Sequence, residues 1–274
     1  MIKYLTYSDY GLLENMNTNI RNDYILRIFP RLVQQESLIG YFENDRLIGI
    51  AGLTLFENEI AILGRLRTDV SYRGKGIATT LMKALIEKAY MTQSLKWVGY
   101  ATEMDNIPAN QLSKRLNMTR ESILVSARVG PGIIHGIEGQ SRFNKRTNSR
   151  LKRSTVLKAF NENQFSFFPY EIYYPLPYIP SLSHLYIEKI ELYSSEVGSF
   201  FLTREEKGDS YLHVKLFNPT LLKNKQMWNI INKIANDEGR TIWIDLPIEY
   251  EDLLGEAFQK TYWHLIGQGR EMKL

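Results

Sequence analysis

The sequence predicts a mixed α/β fold, an α+β arrangement around a mixed sheet, built in two parts. Three observations carry this reading. Short apolar strand-like runs alternate with amphipathic helical stretches; the same order of elements occurs in residues 38–129 and again in the C-terminal part; and a punctuated segment separates the two. With 274 residues, 44% of them hydrophobic and 23% charged, the chain can bury a core without a metal or disulfide staple.

Residues 2–6 read as a short strand and 10–34 as helical with interruptions. Leu38–Phe42 and Leu47–Phe56 flank the polar turn Glu43-Asn44-Asp45-Arg46, a hairpin pattern, and Ile60–Thr68 is a further strand. After a tight loop, Val70–Gly76, comes a helix over Ile77–Met91, because Ile77, Ala78, Leu81, Met82, Leu85 and Ala89 recur at helical spacing. Trp97–Thr102 is a strand, Pro108–Leu116 a helix with proline in its first turn, and Ser122–Val129 a closing strand. Gly130-Pro131-Gly132 punctuates the end of this part.

Next comes a basic run without an acid, holding Arg142, Lys145, Arg146, Arg150, Lys152, Arg153 and Lys158. The aromatic stretch Phe165 to Pro180 follows, where Pro169, Pro175, Pro177 and Pro180 oppose a regular helix. The basic run reads as solvated surface or as a phosphate-contacting patch, and the aromatic stretch as a domain interface or the roof of an apolar groove. Further on, Gly198–Thr203 and Tyr211–Phe217 are hairpin strands, Leu221–Ala235 a helix, Thr241–Leu246 a strand, Tyr250–Gln259 a helix and Tyr262–Gly267 a strand. What repeats is the pattern, not residue identity. The division expected is 1–129, a linker at 130–184, and a C-terminal α+β domain at 185–274.

Composition excludes several chemistries. There is no cysteine, so thiol nucleophiles, disulfides, iron–sulfur clusters and Cys-based zinc sites are absent, and a reducing, cytoplasmic setting fits. His135, His184, His213 and His264 are scattered without ligand spacing, so no metal site is expected. No apolar run is long enough to cross a bilayer, and the opening MIKYLTYSDYG does not read as a signal peptide. The net charge of +4 mildly favours anionic partners, among them CoA, nucleic acid and acidic surfaces.

The segment Tyr72-Arg73-Gly74-Lys75-Gly76-Ile77-Ala78-Thr79-Thr80 lies between a strand and an amphipathic helix. Two glycines let successive N–H groups converge, and the helix start adds unsatisfied donors and the positive end of its dipole. A pyrophosphate would be held there largely by main-chain donors, helped by the Thr79 and Thr80 hydroxyls and the charges of Arg73 and Lys75. The plain alternative is a glycine-rich connection. A P-loop and a dinucleotide fingerprint are both excluded by spacing.

This segment resembles the Arg/Gln-x-x-Gly-x-Gly/Ala signature of the GNAT superfamily of N-acetyltransferases. Downstream, Asn106-Ile107-Pro108-Ala109-Asn110-Gln111-Leu112-Ser113-Lys114-Arg115-Leu116-Asn117-Met118 resembles the family's second signature, Asn-x-Pro-Ala-x-x-Leu-Tyr-x-x-x-Gly-Phe. The resemblance covers about residues 1–128 and implies acetyl-CoA as cosubstrate and direct attack by a primary amine. It implies that the backbone at Leu66 and Thr68 pairs with the pantetheine arm. Arg73, Gly74, Lys75, Gly76, Ile77, Ala78 and Thr79 would hold the pyrophosphate, and Asn106 would contact the CoA arm.

The departures bear on catalysis. The family's tyrosine acid falls at Ser113, a shorter and weaker acid, while Asn117 replaces a glycine and Met118 a phenylalanine. Tyr100 is a substitute acid or a packed side chain; Glu103 is the nearest base by position or an exposed loop carboxylate. Arg65 and Arg67 alternate onto one face of their strand and either line an acceptor cleft, favouring an anionic acceptor, or form a charged edge. In the C-terminal part, Asn218-Pro219-Thr220 stands where the first part has its phosphate turn, so a second copy of the fold has lost the CoA cradle. Two other functions fit the same residues: an acyl-CoA-binding regulatory protein without turnover, or an acetyltransferase directed to nucleic acid.

Overall fold

The computed structural model describes residues 1–137, 139, 141–177, 179 and 181–269. The chain forms two compact units and passes back and forth between them. The first takes Met1–Tyr100, Pro108–Thr119 and the chain from Ile266; the second takes Ala101–Ile107 and Arg120–Leu265.

The first unit is built from β1 (Ile2–Tyr4), α1 (Tyr10–Glu14), α2 (Tyr24–Gln34), β2 (Leu38–Glu43), β3 (Arg46–Phe56), β4 (Ile60–Thr68), α3 (Ile77–Tyr90), the start of β5 (Trp97–Glu103) and most of α4 (Ile107–Arg115). Asn44 and Asp45, with φ of 48° and 62°, make the two-residue turn that pairs Glu43 with Arg46 and sets the β2–β3 register. The Asp23 side chain caps α2 by accepting from the Ile25 amide, and Ile25, Phe29 and Leu32 at helical spacing bury one face against Leu38, Leu47 and Ile50. On α3, Leu81, Met82, Leu85 and Ala89 pack against Ala51, Leu53, Leu63 and Val98. β1 to β4 are antiparallel neighbours in order, and β4 runs parallel to β5.

The second unit holds β6 (Thr119–Val129), β7 (Asn144–Arg146), α5 (Ser149–Asn163), β8 (Phe168–Glu171), β9 (Tyr174–Leu176), α6 (His184–Lys189), β10 (Glu191–Ser195), β11 (Gly198–Glu206), β12 (Ser210–Leu216), α7 (Lys225–Glu238), β13 (Thr241–Pro247) and most of β14 (Gln259–Gly269). Its strands run β14-β6-β13-β12-β11-β10-β7, with β12 and β13 parallel. Met227, Trp228, Ile231 and Ala235 of α7 pack on Leu212, Val214, Ile242, Ile244 and Ala127. Three strands, a long helix and a strand occur in that order in both units, as the expected repeat has it, but the short helix that should follow is a 3₁₀ turn in the second.

Two expectations change. The segment read as a linker, 130–184, contains β7, α5, β8, β9 and the start of α6, all in the second unit. Its prolines exclude helix only from 165–177, where Pro169 and Pro175 sit in the short β8–β9 ribbon; Pro180 lies outside the described residues. The helix expected at Tyr250–Gln259 is a 3₁₀ turn, Ile248–Leu253, because Pro247 before it and Gly255 after it leave too little chain to repay helix nucleation.

The closing strands are exchanged. β6, which ends the N-terminal repeat, pairs with β13 of the second unit, while the end of β14 lies beside β5 and completes the first. In the first unit Trp97 fills the space over two glycines: a Cβ on Gly99 would lie 2.3 Å from its ring, and one on Gly267 only 2.0 Å.

The face of the second sheet opposite α7 carries a buried polar row. Glu205 Oε1 lies 2.9 Å from His213 Nδ1, accepts from Thr203 Oγ1 at 2.9 Å and from Lys215 Nζ at 3.3 Å; Oε2 accepts from the Ile172 amide at 2.7 Å. His213 Nε2 is 3.1 Å from Asp245 Oδ2, off the line a hydrogen bond requires. Asp245 Oδ1 accepts from Ser126 Oγ and Trp243 Nε1. Burial alone would raise the Glu205 carboxyl, but the charges of Lys215 and His213 outweigh it and hold the pKa far below the usual range.

Gly267→Ala is expected to destabilise the protein by about 1–3 kcal/mol, since Trp97 has no space to yield, and urea unfolding reads this directly. Glu205 has a folded pKa below its unfolded value. Its contribution is therefore complete above that unfolded value and lost as pH falls below it. Comparing the melting of wild type and Glu205→Gln from pH 6 to pH 3 should show the gap between them closing as acid is added.

Candidate functional site

β4 begins as a regular strand and then departs from both neighbours. On the β3 side, Gly64 pairs with Gly52 and Arg67 with Ile50, so Arg65 and Leu66 together oppose Ala51 alone. Arg65 adopts φ +55°, the left-handed turn of a bulge. On the β5 side the parallel pairing runs only from Ile60↔Trp97 to Ile62↔Gly99, and the remainder of β4 through Leu66 and Thr68 has no partner there. A strand edge left open in this way can take up an extended ligand by main-chain hydrogen bonds.

Beyond Thr68, Asp69 is fully buried. Its carboxylate accepts from the Ser71 amide at 3.0 Å, the Asn17 amide at 3.3 Å and Arg46 Nη2 at 3.1 Å. Burial pushes its pKa up, yet these three donors more than compensate and leave it lowered. The Asp69 amide donates to Ile48 O, and the Val70 amide to Asn17 O. Asp69 therefore fixes where the chain leaves the sheet and ties it to the loop after α1.

The glycines then turn the chain, with φ of +78° at Gly74 and +80° at Gly76, which serves as the N-cap of α3. A Cβ at either position would meet nothing within 4 Å. Among the described residues, no protein oxygen accepts from the amides of Gly74, Lys75, Gly76, Ile77, Ala78 or Thr79. Thr80 is exposed, and its amide and hydroxyl both donate to Gly76 O rather than facing the cup. Lys75 Nζ sits 4.5 Å from the centre of the Tyr72 ring, and Arg73 Nη2 donates to Thr18 O at 2.7 Å. The outcome is a cup of unengaged N–H groups at a helix start, flanked by two cations, which is chemically an anion site.

The candidate acid and base residues are placed differently. Tyr100 is buried, donates its hydroxyl to Ala109 O at 2.9 Å, and has a pKa pushed well up by burial. Ser113 donates to Asn110 O at 2.8 Å within α4. Asn117 takes the left-handed conformation at φ +54°, as a substitute for glycine must. Glu103 and Asn106 are exposed, in the stretch of β5 and its following turn that belongs to the second unit; the Asn106 amide donates to Glu103 O. Arg67 is not a bare charged edge: it forms a two-pronged ion pair with Asp23 at 2.6 and 3.0 Å. Arg65 Nη1 donates to Thr54 Oγ1 at 3.0 Å.

The corresponding helix start in the second unit is already covered. The Asn224 side chain accepts from the Met227 amide, the Ile137 amide donates to Lys223 O, and Gly136 lies so close that a Cβ would be 2.3 Å from the Asn224 backbone. Asn232 clamps the same segment through the Gly132 amide and Ile134 O. Of the basic run, Lys145 pairs with Glu191, Lys158 with Glu162, and Lys152 is buried near Glu188 O. Sequence reasoning missed Asp69 and the covering segment. The signal for the first was Asp69-Val70-Ser71, an Asx-turn pattern directly before the glycines; the second had none.

Residues 10–118 match the model of the acetyltransferase (GNAT) family, and the N-terminal part of the chain is a domain of that family. Solved structures extend the fold likeness over nearly all of the chain. A GCN5-related N-acetyltransferase from Sphaerobacter thermophilus is 11% identical, with 98% of this chain and 95% of that one aligned at a TM-score of 0.59. One from Kribbella flavida is 12% identical, covering 97% of this chain and 70% of that one at a TM-score of 0.55. At such identities the likeness is one of fold. No curated protein matches the sequence. Among the described residues no helix is long and apolar enough to cross a membrane, and no cluster of side chains suits a metal ion.

Asp69→Ala removes a buried acceptor from two amides and a guanidinium, and should cost about 2 kcal/mol of stability. Asp69→Asn, which keeps an acceptor but loses the charge, should cost less, and urea unfolding orders the two variants.

Proposed function

We propose that this chain moves an acetyl group from acetyl-CoA to a primary amine by direct attack. The observation that carries the reading is the set of unengaged amides from Gly74 to Thr79 beside the open edge of β4. A diphosphate would sit on those amides with Arg73 and Lys75 beside it, and the pantetheine arm would pair with the backbone at Leu66 and Thr68. Asn106 would meet the CoA arm near the start of α4. The thioester carbonyl would then lie where β4 and β5 part, and positioning supplies most of the rate.

The departing group needs little acid. A thiol of pKa near ~8.5 leaves readily as thiolate, so a buried, internally bonded phenol at Tyr100 or hydroxyl at Ser113 need not be a strong proton donor. Glu103, an exposed carboxylate, would take the amine's proton through water. The engagement of Tyr100 and Ser113 within the protein is also what a CoA-binding regulator without turnover would show.

The covered start of α7 supports one cofactor per chain. Acetyl-CoA at 100 times its Kd should stabilise the protein by about 2.7 kcal/mol, with a calorimetric stoichiometry near one. Gly76→Asp, at φ +80°, carries backbone strain of its own, read from its melting without ligand, and should lose the acetyl-CoA shift because its carboxylate enters the anion site. Release of free CoA in the presence of a panel of amines separates enzyme from regulator: binding without release removes the catalytic reading, and absence of binding removes both.

A further inference from the structure

A cation and an indole in the second unit lack partners they should have. Trp243 on β13 and Trp263 on β14 flank Tyr173, whose ring centre is 5.4 Å from the first at 78° and 5.8 Å from the second at 56°. Arg128 on β6 stands opposite Trp243 in the strand register, its guanidinium 5.7 Å from the Trp243 ring centre. The two indoles differ in one respect. Trp243 Nε1 donates to Asp245 Oδ1 at 2.8 Å, while Trp263 Nε1 is shielded from solvent with no acceptor. Arg128 Nε is likewise shielded and unpaired, and among the described residues Arg128 makes no ion pair.

Unpaired buried donors are uncommon and unfavourable, and a half-buried guanidinium that makes no ion pair is more so; the nearby Asp245 carboxylate is engaged by Ser126 and Trp243. Both unpaired donors call for an oxygen acceptor, and Arg128 for one that carries negative charge. The three aromatic rings around them call for a flat apolar body, and Arg128 already fills the place a cationic ligand would take. We propose that Arg128, Trp263, Trp243 and Tyr173 form a binding site for a small organic anion, a carboxylate on an aromatic or similarly flat frame.

Tyr173 is the movable wall. It occupies the turn between β8 and β9 at φ +68°, is 42% exposed, and its hydroxyl makes no hydrogen bond among the described residues. The ring contacts with Trp243 and Trp263 hold its side chain in place, so rotation of one side chain uncovers the faces of both indoles. The site uses none of the residues assigned to the cofactor turn, although Glu103 lies within electrostatic reach of Tyr173, and binding of an organic anion is read separately from acetyl transfer.

The test is calorimetry and tryptophan fluorescence on the full chain, titrated with benzoate, indole-3-acetate and inorganic phosphate. Saturable binding of an aromatic carboxylate with quenching is expected, weakened roughly tenfold by Arg128→Gln and by Trp263→Phe. The second variant keeps an aromatic ring but loses the pyrrole part of the indole with its N–H; near-ultraviolet dichroism and melting check the fold of both variants. No saturable binding up to about 10 mM, a limit below which even weak specific sites register, overturns the proposal. So does binding that neither variant changes, or phosphate binding as tightly as the carboxylates.

Discussion

A carboxylate with no exposed surface governs the geometry of the first unit's site. Asp69 sits at the point where β4 ends, and its hydrogen bonds fix the Ser71 amide on one side and the loop after α1 on the other. Without that fixed exit, the two left-handed glycines would aim their amides at no particular point. The cost of burying the charge is offset by three donors, one of them cationic, and the turn that follows can stay open because it is held from behind. Among the described residues Gly74 to Thr79 contribute no internal hydrogen bonds through their amides; the stability of the region comes from Asp69 and from α3 packed on the sheet.

The bulge at Arg65 and Leu66 is the complementary feature. A strand bound on both sides offers nothing to a ligand, and one bound on neither would not hold its shape. β4 is paired with β3 through the bulge and released from β5 after Ile62, so one edge is rigid while the other is free. Arg67 is anchored to Asp23 at the cap of α2, linking the same strand to the helical loop that Arg73 also reaches through Thr18.

What was legible in the sequence was local chemistry. Glycines at 74 and 76 before an amphipathic run state their own backbone requirement, and Asn44-Asp45 between two apolar strands states its turn; both needed only neighbouring residues. Asn117 held its left-handed position for the same reason. The row formed by Glu205, His213 and Asp245 was not legible, because it depends on the register of three strands, and the carboxylate partners of His213 lie 8 residues and more away. The segment 130–184 misled because a basic run and scattered prolines look like a connector, although Asn148 caps a helix there and Val156 buries its inner face. Which strand neighbours which could not be read from apolar alternation, since β14 has the same pattern beside either partner.

The exchange of closing strands has a consequence for synthesis. When the first hundred residues leave the ribosome, β5 has no neighbour on its far side, and the strand that will lie there is the last described element to be made. An incomplete N-terminal half therefore presents a raw sheet margin and an uncovered Trp97 for as long as translation continues. Maturation of the two units is coupled in time as well as in topology, and dissecting the chain at its midpoint would yield two fragments, each missing a strand that the other carries.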